Sequence, residues 1–230
     1  RVLCGLQKPT GGNYSIYGIS NESKEIIKTR KRIGAIIEVP SLCYDMSAID
    51  NLKEYAKIIG NPSLDNLGEI LNLVGLEGTG KKHVKNFSLG MKQRLGIAIT
   101  LVGNPDFLIL DQPINGLDPE GIIEIRELIL RLNKENGITF LISSHYLDEL
   151  SKIATCYGFI DQSRIVKEIS KKELEESLRK RITINVSNIK ECVKYLEENK
   201  VKYEVISNEV IDIYQKINIS DMIIALSKRD

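Results

Sequence analysis

Two short apolar runs with a helix-spaced segment between them leave this chain few folds to choose from. Phe107-Leu108-Ile109-Leu110 ends in Asp111, and Thr139-Phe140-Leu141-Ile142 ends in Ser143-Ser144-His145. Asp118-Pro119 separates them and opens a stretch, 119–133, with Ile122, Ile125, Leu128, Ile129 and Leu132 on one face. An Asp cap followed by Pro in the first turn is a helix start. Strand, crossover helix, strand is the unit of a parallel α/β sheet. Unbroken apolar runs of this length suit strands covered on both faces. Residues 33–37 read as a further buried strand, ending at Glu38.

The remaining segments fit around that sheet. Arg1-Val2-Leu3-Cys4-Gly5-Leu6 reads as the last turns of a helix, stopped at Gly5 and by Lys8-Pro9-Thr10-Gly11-Gly12. Residues 13–18 read as a short strand. Over 47–75 the spacing is helical, with Leu52, Ala56 and Ile59 in one stripe and Leu67, Ile70, Leu71 and Val74 in another. A helix over 86–101 follows a glycine turn, so 47–101 is expected to be a helical subdomain. Residues 147–154 read as a short helix, and 157–160 with 164–169 as a hairpin around Gln162-Ser163. Composition then shifts: a charged helix over 171–181, a strand 182–186, a helix 189–199, paired strands 203–206 and 210–214, and a helix 219–228. The expected architecture is an α/β domain over 1–169 and a small α+β appendage, ferredoxin-like in pattern, over 170–230.

Composition narrows the function classes. With 42% hydrophobic and 27% charged residues and a formal net charge of +1, neither a nucleic-acid surface nor an acidic tail is indicated. No apolar run approaches the roughly 18 residues that span a bilayer, and no leader is read before Arg1. A membrane role is therefore expected to come through a partner. Cys4, Cys43, Cys156 and Cys192 are scattered, which argues against a metal site and for a reduced, cytosolic protein.

Several residues have the chemistry of a nucleotide site. A carboxylate at the carboxyl end of a buried strand, as at Asp111, can hold the water shell of Mg2+ beside phosphates. In Asn86-Phe87-Ser88-Leu89-Gly90-Met91-Lys92-Gln93-Arg94, Ser88 offers a hydroxyl and Gly90 lets backbone N–H groups approach an anion at a helix N-terminus. Asn115-Gly116-Leu117-Asp118 precedes the next helix, which Asp118 caps. His145 ends the second strand; His83 lies in a Lys-rich loop and reads as solvated.

In that order these motifs resemble the ATP-binding subunit of an ABC transporter, whose fold is a P-loop NTPase-like parallel sheet with a helical subdomain. The resemblance covers about 1–169 and assigns roles residue by residue. It implies ATP and Mg2+ as cofactors, with Asp111 and Glu38 at the metal and Gln112 and His145 in the catalytic group. Ser88, Leu89, Gly90 and Met91 match the signature segment that faces ATP held by the opposite subunit, and Asp118 the loop that crosses the dimer interface. Leu89 stands where the family usually has glycine, and Met91 where it has glutamine. Glu38, in place of the usual glutamine, together with the Met-Lys-Gln-Arg signature and the appendage, is similar to the branch that exports or resists peptide antibiotics such as bacitracin and lantibiotics. The implied partners are a transmembrane permease and a second nucleotide-binding subunit, in a homodimer or heterodimer. The implied location is the cytoplasmic face of the membrane, with no nucleic acid involved.

Two departures bear on activity. A phosphate loop needs Gly-x-x-x-x-Gly-Lys-Ser/Thr between strand and helix. Gly75-Leu76-Glu77-Gly78-Thr79-Gly80-Lys81-Lys82 lacks the hydroxyl and follows a helix, so it is read as a connector. The loop is expected before Arg1, which would make this chain a truncated one. Gln112 stands where the family has its catalytic glutamate, and an amide cannot act as a base. Losing a general base costs ~10²–10⁴ in rate. Gln112 fits an introduced substitution that traps an ATP-closed dimer, or a naturally slow ATPase. The rival functions are a non-catalytic regulatory or pairing subunit, and a soluble ribosome- or DNA-acting relative, which usually has paired domains or a long coiled coil.

Overall fold

The computed structural model describes residues 1–60, 64–177, 182–215 and 217–227. They fall into two compact units, Arg1–Ile153 and Ala154–Asp230. The hairpin expected at the end of the first domain therefore groups with the second unit.

The first unit opens with a closed helical turn. Gly5 N donates to Val2 O at 3.0 Å and Leu6 N to Arg1 O at 3.1 Å, with Gly5 at φ 77°. These are the two bonds of a Schellman ending. The strand expected over 13–18 is a small antiparallel hairpin, β1 (Ser15–Ile16) and β2 (Ile19–Ser20), turning at Tyr17 and Gly18, both at positive φ. Then come α1 (Ile26–Arg30), β3 (Ile33–Ile36), α2 (Ala48–Ile59), α3 (Leu67–Leu73) and α4 (Leu89–Leu101). Next are β4 (Phe107–Asp111), α5 (Pro119–Asn136), β5 (Thr139–Ser143) and α6 (Leu147–Ile153).

Local chemistry sets the helix ends. Ser47 caps α2 by accepting from Asp50 N at 3.3 Å, and Gly60, left-handed at φ 72°, stops it. The parallel order is β3-β4-β5, with Ile36 opposite Leu110 and Asp111 opposite Ser143. Leu108 and Leu110 are fully buried, together with Leu95 and Ile97 of α4 and Ile125 and Leu132 of α5.

Two glycines let α4 lie close to β3 and the segment that follows it. A Cβ at Gly34 would fall 2.4 Å from Leu108 Cδ2 and 2.8 Å from Thr100 Cβ. One at Gly96 would fall 2.6 Å from Pro40 Cβ. The face with Gly34, Ile36, Leu108 and Leu110 is buried, whereas Ala35 and Leu141 on the other face are exposed. The apolar runs predicted cover on both faces. The described residues cover one, because α4 packs on a single side of β3.

The second unit begins with the hairpin β6 (Cys156–Asp161) and β7 (Arg164–Ser170), which turns at Gln162 and Ser163, both at positive φ. It continues with α7 (Lys171–Ser177), β8 (Ile182–Asn185), α8 (Ile189–Glu198), β9 (Tyr203–Val205), β10 (Val210–Ile213) and α9 (Ile219–Leu226). The sheet order is β8-β10-β9, with β10 antiparallel to both neighbours. That is a split βαβ, the arrangement of ferredoxin-like folds. Its core holds Cys192, Leu196, Ile211, Ile213 and Met222. The expected helix ends at 178–181 and 228 lie outside the described residues. No helix among the described residues is long and apolar enough to cross a membrane.

Candidate functional site

Register brings the first group together. Asp111 ends β4 directly beside Ser143, which ends β5. The Ser143 hydroxyl donates to Asp111 Oδ1. The chain then turns sharply, with Gln112 left-handed at φ 52°. A residue with a Cβ pays roughly 1–2 kcal/mol in that region. The β5 end holds the turn: Gln112 N donates to Ser143 O at 3.0 Å and to Ser143 Oγ at 3.2 Å. Folded back in this way, Gln112 places Oε1 2.8 Å from His145 Nδ1. With an amide oxygen as acceptor, Nδ1 is the donor of this pair, and in the neutral imidazole Nε2 is then the acceptor. The imidazole lies against Tyr146, with ring centroids 4.1 Å apart.

Glu38 sits at the same edge of the sheet, past the end of β3, and is also left-handed at φ 68°. Its carboxylate forms an exposed ion pair with Arg1. Asp111, Gln112 and His145 are thus brought together, and Glu38 lies one strand over with its side chain engaged elsewhere.

The second group is a pair of helix N-termini. Ser88 Oγ accepts from Met91 N at 3.2 Å, which caps α4 and leaves the hydroxyl proton free to donate outward. Asp118 Oδ1 accepts from Gly121 N at 3.1 Å and caps α5, with Pro119 in the first turn. The turn before α5 rests on α4: a Cβ at Gly116 would lie 3.4 Å from Leu89 Cδ2. Leu89, the residue that departs from the family pattern, therefore lies beside the loop leading to Asp118. A Cβ at Gly90 would meet nothing within 4 Å. No described hydrogen bond or ion pair joins this group to Asp111, Gln112 or His145.

The Gly75–Lys82 connector follows α3 and not a strand. Gly75 is a left-handed helix stop at φ 67°, and the Lys82 ammonium lies 5.8 Å from the Phe87 ring centre. Sequence reasoning missed Ser143 and Arg1. Ser143 was open to discovery, because the residue ending the strand next to Asp111 must share its edge. Arg1 carried no local signal.

The donors present fit Mg2+. The Asp111 carboxylate is a hard oxygen ligand, and the Ser143 hydroxyl orients it. No group of three or more His, Cys, Asp or Glu side chains that could hold a metal occurs among the described residues. Magnesium here would take its remaining ligands from water and phosphate, as it commonly does.

Comparison with known proteins gives the family and the fold. A family described as ABC transporter matches residues 1–115. A bacitracin transport ATP-binding protein of Bacillus licheniformis is 42% identical over 221 residues, covering 94% of this chain and 71% of that protein. A lantibiotic transport ATP-binding protein of Streptococcus pyogenes is 44% identical over 168 residues, covering 73% of this chain and 71% of that protein. Among solved structures, cbiO1 of Clostridium perfringens, part of an ABC transporter complex, matches with a TM-score of 0.67 at 26% identity, covering 86% of this chain and 76% of that one. A dimeric ATP-binding cassette in a post-hydrolysis state with ADP and phosphate matches in fold, with a TM-score of 0.64 at 24% identity over 74% of this chain and 78% of that one.

Proposed function

We propose a function from one premise: this chain belongs to the ABC transporter family, as an ATP-binding subunit. It binds ATP with Mg2+ and powers export of, or resistance to, a peptide antibiotic through a separate permease at the cytoplasmic face of the membrane. The bacitracin and lantibiotic relatives support that substrate class. Two copies, or this chain and a relative, pair head to tail around two nucleotides.

The observation that carries the reading is the joined edge of Asp111, Ser143, Gln112 and His145. Mg2+, when bound, neutralises phosphate charge. Asp111, oriented by the Ser143 hydroxyl, would hold the metal through its water shell. His145, held through Nδ1 by Gln112, offers Nε2 as an acceptor to the attacking water. Gln112 orients that water through its amide but cannot take its proton, so hydrolysis is slow. Glu38, if released from Arg1, would supply a further oxygen ligand to the metal. Ser88, Gly90 and Asp118 serve the nucleotide of the opposite chain, which accounts for their separation from the Asp111 edge.

The test is Gln112→Glu, assayed for ATP turnover in the protein with its permease. A carboxylate in that position should raise turnover by roughly tenfold or more. Unchanged turnover would remove Gln112 from the catalytic group. A second reading, favoured by Gln112 itself, is a pairing subunit that binds ATP without turning it over. Hydrolysis by the purified protein above background excludes that reading.

A further inference from the structure

The end of α3 is held from outside in an unusual way. Gly75 N donates to Asn72 O at 2.9 Å and Leu76 N to Leu71 O at 2.8 Å, the paired bonds of a Schellman ending. The following carbonyls have no donor within the helix. Side chains from two other helices reach them. Arg131 of α5 donates to Leu73 O, and Arg94 of α4 donates through Nη1 to Val74 O at 3.4 Å and Gly75 O at 3.2 Å. Arg94 Nη2 also lies 3.5 Å from Glu124 Oε2 of α5. The Arg94 side chain is only 18% exposed, and its Nε is buried without a partner. Gly75 is needed for its φ of 67° and because a Cβ would lie 3.0 Å from Arg94 Nη1.

A cleft of about 480 Å³ runs beside these contacts, lined by Gly75, Arg94, Glu124 and Arg131 among others. The two guanidiniums bridge it and tie α3 to α5. Arg94 is the common node. It belongs to the helix that Ser88 caps, it grips the end of α3, and it pairs with the helix that Asp118 caps.

We infer that Arg94 is a positioning residue for ATP-driven pairing of two subunits. It keeps the N-termini of α4 and α5 at one spacing, so that Ser88 and Asp118 reach the opposite chain's nucleotide together. This rests on the proposed function, because it takes Ser88 and Asp118 to act across the dimer. A planar guanidinium suits the task, since its fixed fork of donors spans adjacent carbonyls and a carboxylate from one side chain, whereas an ammonium is a compact point charge without that fork. No described hydrogen bond or ion pair joins Arg94 to the Asp111 edge, so its loss should leave the chain's own nucleotide contacts intact.

The experiment compares wild type, Arg94→Gln, Arg94→Lys and Glu124→Gln in the full-length protein with ATP and Mg2+. Sedimentation measures pairing, equilibrium dialysis of the dilute monomer measures ATP affinity, and thermal melting reports the fold. Hydrogen bonds to charged groups of this kind are worth roughly tenfold or more in an equilibrium. Arg94→Gln should therefore weaken ATP-driven pairing by about that factor with monomer ATP affinity unchanged, and Arg94→Lys should restore only part of it. If Arg94→Gln does not fold, Glu124→Gln, at a 44% exposed side chain, must weaken pairing by itself. Unchanged pairing in Arg94→Gln or, where that variant does not fold, in Glu124→Gln overturns the inference. So does a loss of pairing matched by an equal loss of ATP affinity. A wild type that does not pair on ATP overturns the proposed function itself, and this inference with it.

Discussion

Gly90→Ala separates what the fold requires from what a second subunit requires. Gly90 lies in the first turn of α4, behind the Ser88 cap, and a Cβ there meets no atom within 4 Å. Nothing in the chain itself calls for glycine. Alanine in a helix is favoured over glycine by roughly 0.5–1 kcal/mol, with the upper figure applying to helix interiors. For a chain of this size that corresponds to a rise in Tm of about 1–4 °C. The side chain would nonetheless stand beside the Ser88 hydroxyl, on the surface proposed to receive the opposite nucleotide. The expected result is a more stable protein that pairs less well on ATP. Calorimetry gives the first quantity, and sedimentation with and without ATP and Mg2+ gives the second. A fall in Tm would mean that the space at Gly90 is not open. Unchanged pairing would mean that nothing approaches this helix end, and the trans role of Ser88 would go with it.

Two further outcomes follow from packing and charge. Gly96→Ala puts a Cβ 2.6 Å and 2.7 Å from Pro40 Cβ and Cγ. Overpacking costs about 1–3 kcal/mol and alanine's helix preference returns up to about 1, so melting should show a Tm lower by a few degrees. Turnover should fall further than stability, because the displaced segment carries Glu38; an unchanged Tm would show that Pro40 yields freely. Asp106 accepts from the Tyr17 hydroxyl and from Arg32 Nε at 2.9 Å, and these bonds, the tyrosine's first, hold its carboxyl below the ordinary 3.8. A carboxyl depressed on folding adds stability above its ordinary value and loses it as pH falls through the folded value. Asp106→Asn should therefore be less stable than wild type at neutral pH, with the gap in urea unfolding closing below about pH 4; a pH-independent gap would refute the pairing.

Much of the fold was legible because it is written in local spacing. The run 107–111 and the run 139–143 became β4 and β5, and Asp118-Pro119 started α5 as its cap and first turn. The stripe over 47–75 resolved into α2 and α3. The order of these elements was enough to place Asp111, Gln112 and His145 at one sheet edge. The sequence by itself could not show what depends on approach between distant segments. The Ser143 hydroxyl meets Asp111 through strand register, Arg1 takes Glu38 across 37 positions of chain, and Pro40 fills the gap left by Gly96. Arg94 resembled any other charged residue of a signature helix until the structure put the end of α3 within its reach. Caps, turns and periodicity are set by neighbours a few residues apart, so a sequence states them directly. Which carbonyl a guanidinium finds, and which glycine must stay bare, is decided only when separate helices and strands are packed within a few ångströms of each other.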